Sequence, residues 1–202
     1  MLAGRPLSWL ANRLGRRVPV DQRRDKGWAG NLVEEALGAT AGNRAECDFP
    51  KLGVELKTVP MDATGRVLQA TYVCTAPTAQ AATWDASWVR KKLACVLWVP
   101  IVGTDALGDR RLGSPVMWTP SPDEDALLCH DWEELSELLH RGEVHLIDAR
   151  MGKVLQLRPK GANRDDHHWV LSDQAEWVRA MPRGFYLRAR FTSQVLGRHL
   201  TA

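Results

Sequence analysis

The stretch Cys47-Asp48-Phe49-Pro50-Lys51-Leu52-Gly53-Val54-Glu55-Leu56-Lys57-Thr58 holds the densest group of chemically active residues in the 202-residue chain. Alternate side chains of a strand share a face, so Glu55 and Lys57 point one way while Val54 and Leu56 point into a core. Asp48 precedes Glu55 by seven residues, which is enough chain to turn back and bring both carboxylates to one point. Two carboxylates beside an ammonium group suit a Mg²⁺-dependent phosphodiesterase. Hard oxygen ligands hold a hard cation that keeps several waters and also takes substrate phosphate. The cation lowers the pKa of a bound water and neutralises charge developing on the phosphate, while the lysine orients the nucleophile or adds positive charge. In a chain with ten Glu and seven Lys, an Asp…Glu-x-Lys pattern carries little weight by itself. The competing reading is a solvated strand face whose ion pair is worth less than about 1 kcal/mol.

Several elements must position these groups. Apolar residues at helical spacing (Trp28, Leu32, Val33, Ala36, Leu37) with a stop at Gly38 predict a helix over 26–37, which carries Glu34 and Glu35. Residues 53–59 and 67–75 read as strands joined by a hairpin connection at 62–65. The near-continuous apolar run 93–102 reads as a strand buried on both faces. An N-terminal surface helix turns Leu7, Leu10 and Leu14 inward. Residues 123–140 form the clearest helix, opened by Ser121 and Pro122, with Leu127, Leu128, Trp132, Leu135, Leu138 and Leu139 inward and a solvated acidic outer face. Short strands near 144–148, 154–158 and 184–188 and a closing helix near 192–200 complete an α/β or α+β architecture around one central sheet.

Composition excludes some classes. With 45% hydrophobic and 25% charged residues, the chain is not disordered, and its length lets a single domain bury a real core. The formal charge of +3 is unevenly spread: residues 1–27 carry +5, residues 150–202 carry +6, and the middle carries −8. Basic ends around an acidic middle point to a polyanion gripped by the ends, against a patchwork of solvated faces. The four cysteines lack pairing or zinc spacing and read as buried free thiols, as in a reducing cytoplasm. No apolar run reaches the roughly 18 residues of a membrane span. The nine tryptophans lie mostly in apolar runs and read as core.

Further blocks surround the carboxylate segment: Arg24-Asp25-Lys26-Gly27-Trp28, Leu37-Gly38-Ala39, Gly65-Arg66 and Tyr72-Val73-Cys74. They continue with Val89-Arg90-Lys91-Lys92-Leu93, Leu97-Trp98-Val99-Pro100, Gly113-Ser114-Pro115 and Asp131-Trp132-Glu133-Glu134-Leu135. The last are Leu157-Arg158-Pro159-Lys160 and Pro182-Arg183-Gly184-Phe185-Tyr186-Leu187. Taken in order, they resemble the MutH family of methyl-directed mismatch-repair endonucleases over nearly everything after residue 20.

The resemblance implies a restriction-endonuclease-like fold, an α/β arrangement with a mixed sheet and two lobes flanking a DNA-binding cleft. One endonuclease domain is expected, with the active site in a lobe of residues 1–105 and DNA reading in residues 106–202. Such enzymes use Mg²⁺, for which Mn²⁺ can substitute, to nick the unmethylated strand at hemimethylated GATC sites. A restriction enzyme cutting both strands and an inert DNA-binding protein are the alternatives. Asp48, Glu55 and Lys57 match the family's catalytic triplet, and Leu56 would offer its backbone carbonyl to the metal. Glu34 matches a further acidic residue, although Glu35 could take that role. Lys92 matches an active-site lysine, or else contacts DNA phosphate within its basic cluster.

Arg158 occupies the base-reading position, where its fork suits guanine O6 and N7, and Pro159 and Lys160 follow it. Tyr186 occupies the position that senses adenine methylation, unless it is a half-buried strand tyrosine. Lys26, Arg183 and Arg188 are candidate phosphate contacts. Partners implied are double-stranded DNA, a MutL-type activator and a MutS-type mismatch sensor; a monomer with no membrane partner is expected. Two departures stand out. Gln69 replaces an acid, and residues 164–177, with Asp165, Asp166, His167 and His168, match poorly and read as a surface loop.

Overall fold

A computed structural model describes residues 2–20, 27–42, 44, 46–76, 83–103, 106–160, 168–171, 177–180 and 182–200. Its helices are α1 (Leu7–Arg13), α2 (Trp28–Leu37), α3 (Trp88–Leu93), α4 (Pro122–His140) and α5 (Ala189–Leu200). Its strands are β1 (Glu55–Met61), β2 (Thr71–Thr75), β3 (Val96–Val102), β4 (Arg111–Leu112), β5 (Val116–Trp118), β6 (Leu155–Pro159), β7 (His168–Leu171), β8 (Trp177–Ala180) and β9 (Arg183–Leu187). The chain is mixed α/β, as expected. Two compact units share it, one built from Met1–Gln69, Ala94–Thr119 and Thr192–Ala202, the other from Ala70–Leu93 and Pro120–Phe191.

In the first unit, β1 runs parallel to β3, pairing Glu55 with Val96 and Lys57 with Trp98. β4 and β5 pair antiparallel with β3, which leaves β1 at an edge. Parity then sorts the side chains. Leu56, Val99 and Ile101 join Leu7, Leu10 and Ala11 of α1 and Leu32 and Val33 of α2 in one buried cluster, so the apolar faces of both amphipathic helices cover that side of the sheet. Glu55, Lys57, Val59 and Met61 occupy the other side of β1. β3 is buried along most of its length, as an interior strand requires, with Val96 and Trp98 fully inaccessible.

The second unit is organised by the antiparallel sheet β2-β9-β6. Leu155, Leu157, Phe185, Leu187 and Cys74 are buried. α4 begins with a full capping box: Ser121 accepts from the Glu124 N–H, and the Glu124 carboxylate accepts from the Ser121 N–H. Its residue Asp131 is 1% exposed and accepts from the N–H groups of Val154 and Leu155 at 2.6 and 2.8 Å. Leu128, Trp132 and Leu135 face inward as expected, while Leu127, Leu138 and Leu139 are half-buried.

Four expectations need correction. β1 and β2 do not form a hairpin. The turn at 62–65 is present, held by Asp62 Oδ1 accepting from the Thr64 and Arg66 N–H groups, but only the Met61–Val67 bridge follows it, and β2 pairs with β9 instead. The run 144–148 is no strand: Val144–Leu146 is a 3₁₀ turn, and Asp148 Oδ1 then accepts from the N–H groups of Arg150 and Met151. The poorly matching segment is not all loop, because β7 and β8 pair antiparallel from His168–Ala180 to Leu171–Trp177; Asp165, Asp166 and His167 lie outside the described residues. Only Cys74 of the four cysteines is buried. Cys47, Cys95 and Cys129 are half-buried, and all four are free thiols.

Candidate active site and nucleic-acid face

The carboxylate segment folds into a tight hairpin. Phe49 and Val54 form an isolated antiparallel bridge, the Phe49 N–H donating to the Val54 carbonyl at 2.9 Å. Gly53 completes the turn at φ +65°, a conformation that a residue with a Cβ rarely adopts. This fold-back brings Asp48 to the start of β1, where its Oδ2 accepts from the Leu56 N–H at 2.8 Å. Glu55 donates its own N–H to Cys95 O beside β3. Ladder alternation therefore turns both the N–H and the carbonyl of Leu56 toward the open edge of β1, next to Asp48.

Glu55 and Lys57 share a strand face, and Lys57 Nζ donates to Glu55 Oε1 at 2.6 Å. The pair is not the solvated surface bridge considered above: the side chains are 2% and 15% exposed. Withdrawing a carboxylate from water costs several kcal/mol, which a single buried partner does not repay with certainty of profit. Burial also removes the pair from the solvent screening that weakens exposed ion pairs.

α2 crosses the other face of β1. Gly30 faces β1, since a Cβ built there would make ordinary contacts at 3.5 Å with Thr58 Oγ1 and 3.9 Å with Glu34 Oε1. Glu34 thus reaches back along the helix toward β1. Glu35 is committed elsewhere, both of its oxygens being held by Arg16 at 2.9 and 3.1 Å on an exposed surface. Asp48, Glu55, Leu56 and Lys57 therefore lie at the start of β1 or on the segment leading into it, while Glu34 is carried by α2, which packs on the opposite face of β1 from Glu55 and Lys57. Lys92 is on α3 in the second unit, its ammonium 5.3 Å from the centroid of the Trp88 ring one turn earlier. Lys26 lies outside the described residues.

The donors on β1 fit Mg²⁺. Two carboxylates and a backbone carbonyl are hard oxygen ligands, and Mg²⁺ uses one or two carboxylates with waters and substrate phosphate filling the rest. Among the described residues no group of three or more His, Cys, Asp or Glu forms a self-sufficient metal cage.

The remaining candidates lie mainly on the sheet β2-β9-β6. A β-bulge in β2 lies between Tyr72, which pairs with Tyr186, and Cys74, which pairs with Phe185. The extra residue moves Thr75 onto the face of Tyr72, whereas a regular strand would place residues three apart on opposite faces. Tyr72, Thr75, Gly184, Tyr186 and Arg158 then share one side, because Gly184 pairs with both Thr75 and Arg158. The two tyrosine rings meet edge to face with centroids 5.3 Å apart.

Arg158 lies over Tyr186 at 5.7 Å and Lys160 over Tyr72 at 4.7 Å. Lys160 Nζ also donates to Tyr72 Oη and Thr75 Oγ1, each at 2.8 Å. Gly184 makes the stacking possible, since a Cβ there would meet Tyr72 Cε2 at 2.9 Å. Burial raises the Tyr186 phenol above its ordinary value and Tyr72 adds to the rise, while Arg158 and Lys160 pull it the other way.

Pro159 is exposed between the two cations. Arg183 is half-buried, donates to Val144 O at 3.3 Å, and has its pKa lowered by burial. The Arg188 guanidinium donates to the carbonyls of Ala149, Met151 and Gly152 and holds that loop. Sequence reasoning missed Tyr72 and Thr75, whose only signal is the bulge, and Asp131, which is hidden among the acids of α4.

Comparison with known proteins identifies the family. A family model described as DNA mismatch repair enzyme MutH matches residues 37–131. The DNA mismatch repair protein MutH of Serratia proteamaculans (strain 568) is 48% identical over 98% of this chain and 89% of its own length. The proteins of the same name from Shewanella baltica (strain OS155) and Klebsiella pneumoniae (strain MGH 78578) are 48% and 49% identical over 98% of this chain, covering 91% and 87% of their own lengths. Near-complete coverage at that identity carries both units of the fold, and the chain belongs to the MutH family of DNA mismatch repair enzymes.

Proposed function

We propose that this mismatch-repair endonuclease nicks the unmethylated strand at hemimethylated GATC sites in a Mg²⁺-dependent reaction centred on Asp48, Glu55 and Lys57. The buried Glu55–Lys57 pair beside the fold-back of Asp48 is the observation that carries the reading. When bound, Mg²⁺ or Mn²⁺ would lower the pKa of a water and offset charge developing on the phosphate. Asp48, Glu55 and the Leu56 carbonyl would hold the ion. Lys57 Nζ, held on Glu55 Oε1, can orient the nucleophile or meet the negative charge of the transition state. Glu34 adds a further carboxylate from α2, and Lys92 would contribute a second ammonium.

Arg158 would read guanine through two parallel hydrogen bonds, with Pro159 stiffening the backbone after it. Lys160 supplies a neighbouring cation. Tyr186 offers a ring whose space beside adenine N6 either admits or excludes a methyl group. Arg183 and Lys26 would contact backbone phosphates, which position the enzyme without specifying sequence. MutL-type and MutS-type partners would deliver and activate the enzyme, which acts as a monomer. No helix among the described residues is long and apolar enough to cross a membrane.

Three plasmids carrying one GATC site, hemimethylated, unmethylated or fully methylated, test the proposal in Mg²⁺ with and without a MutL-type partner. The proposal expects nicks in unmethylated strands only, stimulated by the partner. Vigorous double-strand cutting that ignores the partner would make it a restriction enzyme. Tight binding without any cleavage would make it an inert DNA-binding protein.

A further inference from the structure

The exposed side of β2-β9-β6 holds Lys160 in a way that neither its sequence nor a generic phosphate contact requires. A lysine ammonium has three N–H donors on a flexible stem. Two of them are taken by Tyr72 Oη and Thr75 Oγ1 at 2.8 Å each, and those oxygens lie 2.8 Å from one another. The Tyr72 ring faces the same ammonium at 4.7 Å. The chain end of the stem is fixed as well, since the Lys160 N–H donates to Pro182 O at 2.6 Å. The third ammonium donor has no partner among the described residues.

We propose that Tyr72 and Thr75 are positioning residues for DNA binding, their hydroxyls fixing Lys160 so that one donor points away from the sheet toward the nucleic acid. The inference rests on the reading of Lys160 as a DNA contact given above. The β-bulge is what makes the device: without it Thr75 would face the core side of the sheet. Holding the ammonium in advance removes part of the ordering cost that a free lysine pays when it binds. Its charge is unchanged, so the device acts on direction rather than on long-range attraction.

The test uses the full chain and fluorescence anisotropy on a GATC duplex, with Ca²⁺ replacing Mg²⁺ to prevent cleavage. The double variant Tyr72→Phe/Thr75→Val keeps ring and volume but removes both hydroxyls. Expected is about three- to tenfold weaker binding with the wild-type dependence on salt, because the lysine charge remains. In a Lys160→Met background the same two changes should have no further effect, and Thr75→Ser should bind like the wild type. A thermal melt checks that each variant folds, and Thr75→Val alone, at an exposed position, gives a smaller loss in the same direction.

Wild-type affinity in the double variant, or an equal loss with and without Lys160, overturns the positioning role while leaving Lys160 as a DNA contact. Unchanged binding by Lys160→Met alone overturns both the contact and the inference.

Discussion

Lys57 Nζ donates to Glu55 Oε1 over 2.6 Å, and the carboxylate it holds belongs to a side chain only 2% exposed. The two residues are neighbours on one strand face, so no loop closure or helix packing is needed to bring them together. Asp48 is added by a local hairpin that ends on the Leu56 N–H. The proposed catalytic centre is therefore built within ten residues of chain.

Breaking that pair on one side should separate stability from activity. Lys57→Met leaves a buried carboxylate without its partner and should cost about 3–5 kcal/mol in urea unfolding, whereas Glu55→Gln/Lys57→Met should recover most of that loss. Cleavage should fall about a hundred- to a thousandfold or more in all of these variants, while DNA binding persists. Recovery of cleavage along with stability would assign the pair to the fold alone.

Asp131 closes α4 onto β6 by accepting from two backbone N–H groups. Asp131→Leu leaves both donors buried without a partner, at about 1–3 kcal/mol each. The loss should appear in thermal and urea unfolding with the catalytic rate of the folded fraction intact. Gly152 belongs to the same joint, since a Cβ there would meet Leu155 O at 1.9 Å at a φ of +77°; Gly152→Ala should destabilise in parallel.

Gly184→Ala probes the nucleic-acid face. The added methyl would stand 2.9 Å from Tyr72 Cε2 and 3.3 Å from Tyr186 Cε2, so both rings must shift. DNA affinity should fall more than tenfold while stability changes by about 1–3 kcal/mol.

The chain has two tyrosines, so an absorbance titration of the phenols reads them directly. Tyr186 should ionise above the ordinary value of about 10, because burial and Tyr72 outweigh the pull of Arg158 and Lys160. A phenol whose pKa is raised by folding contributes stability that is fully present below the unfolded value and is lost as pH climbs through the folded one. Stability should hold from neutral pH to about 10 and decline above it, and Tyr186→Phe should remove that alkaline component.

Much of this was legible in the sequence because the signals are local. Helix α4 announced itself through Ser121, Pro122 and Glu124, and α2 through its apolar spacing and Gly38; both formed close to the expected bounds. The Glu55 and Lys57 parity followed from strand geometry alone. What stayed hidden depends on partners distant in sequence. Residues 62–65 form a good turn whatever follows, so nothing local reveals that β2 leaves β1 to pair with β9. The run 144–148, with Val144, Leu146 and Ile147, resembles a strand, but it sits between the end of α4 and the Asp148 turn and pairs with no strand among the described residues. The bulge that carries Thr75 onto the Tyr72 face defeats a period-of-two reading. Asp131 looks like the other acids of its helix until β6 is packed against it, and Arg188 looks like any surface cation until its three carbonyl partners are in place.

Single-turnover, strand-resolved nicking of a hemimethylated GATC duplex in Mg²⁺, run side by side for the wild-type chain and Asp48→Ala, tests the central claim most directly. The account predicts a nick confined to the unmethylated strand by the wild type, and binding with cleavage slowed about a thousandfold or more by Asp48→Ala. Equal cleavage by the two proteins, or cutting that ignores methylation, would contradict it.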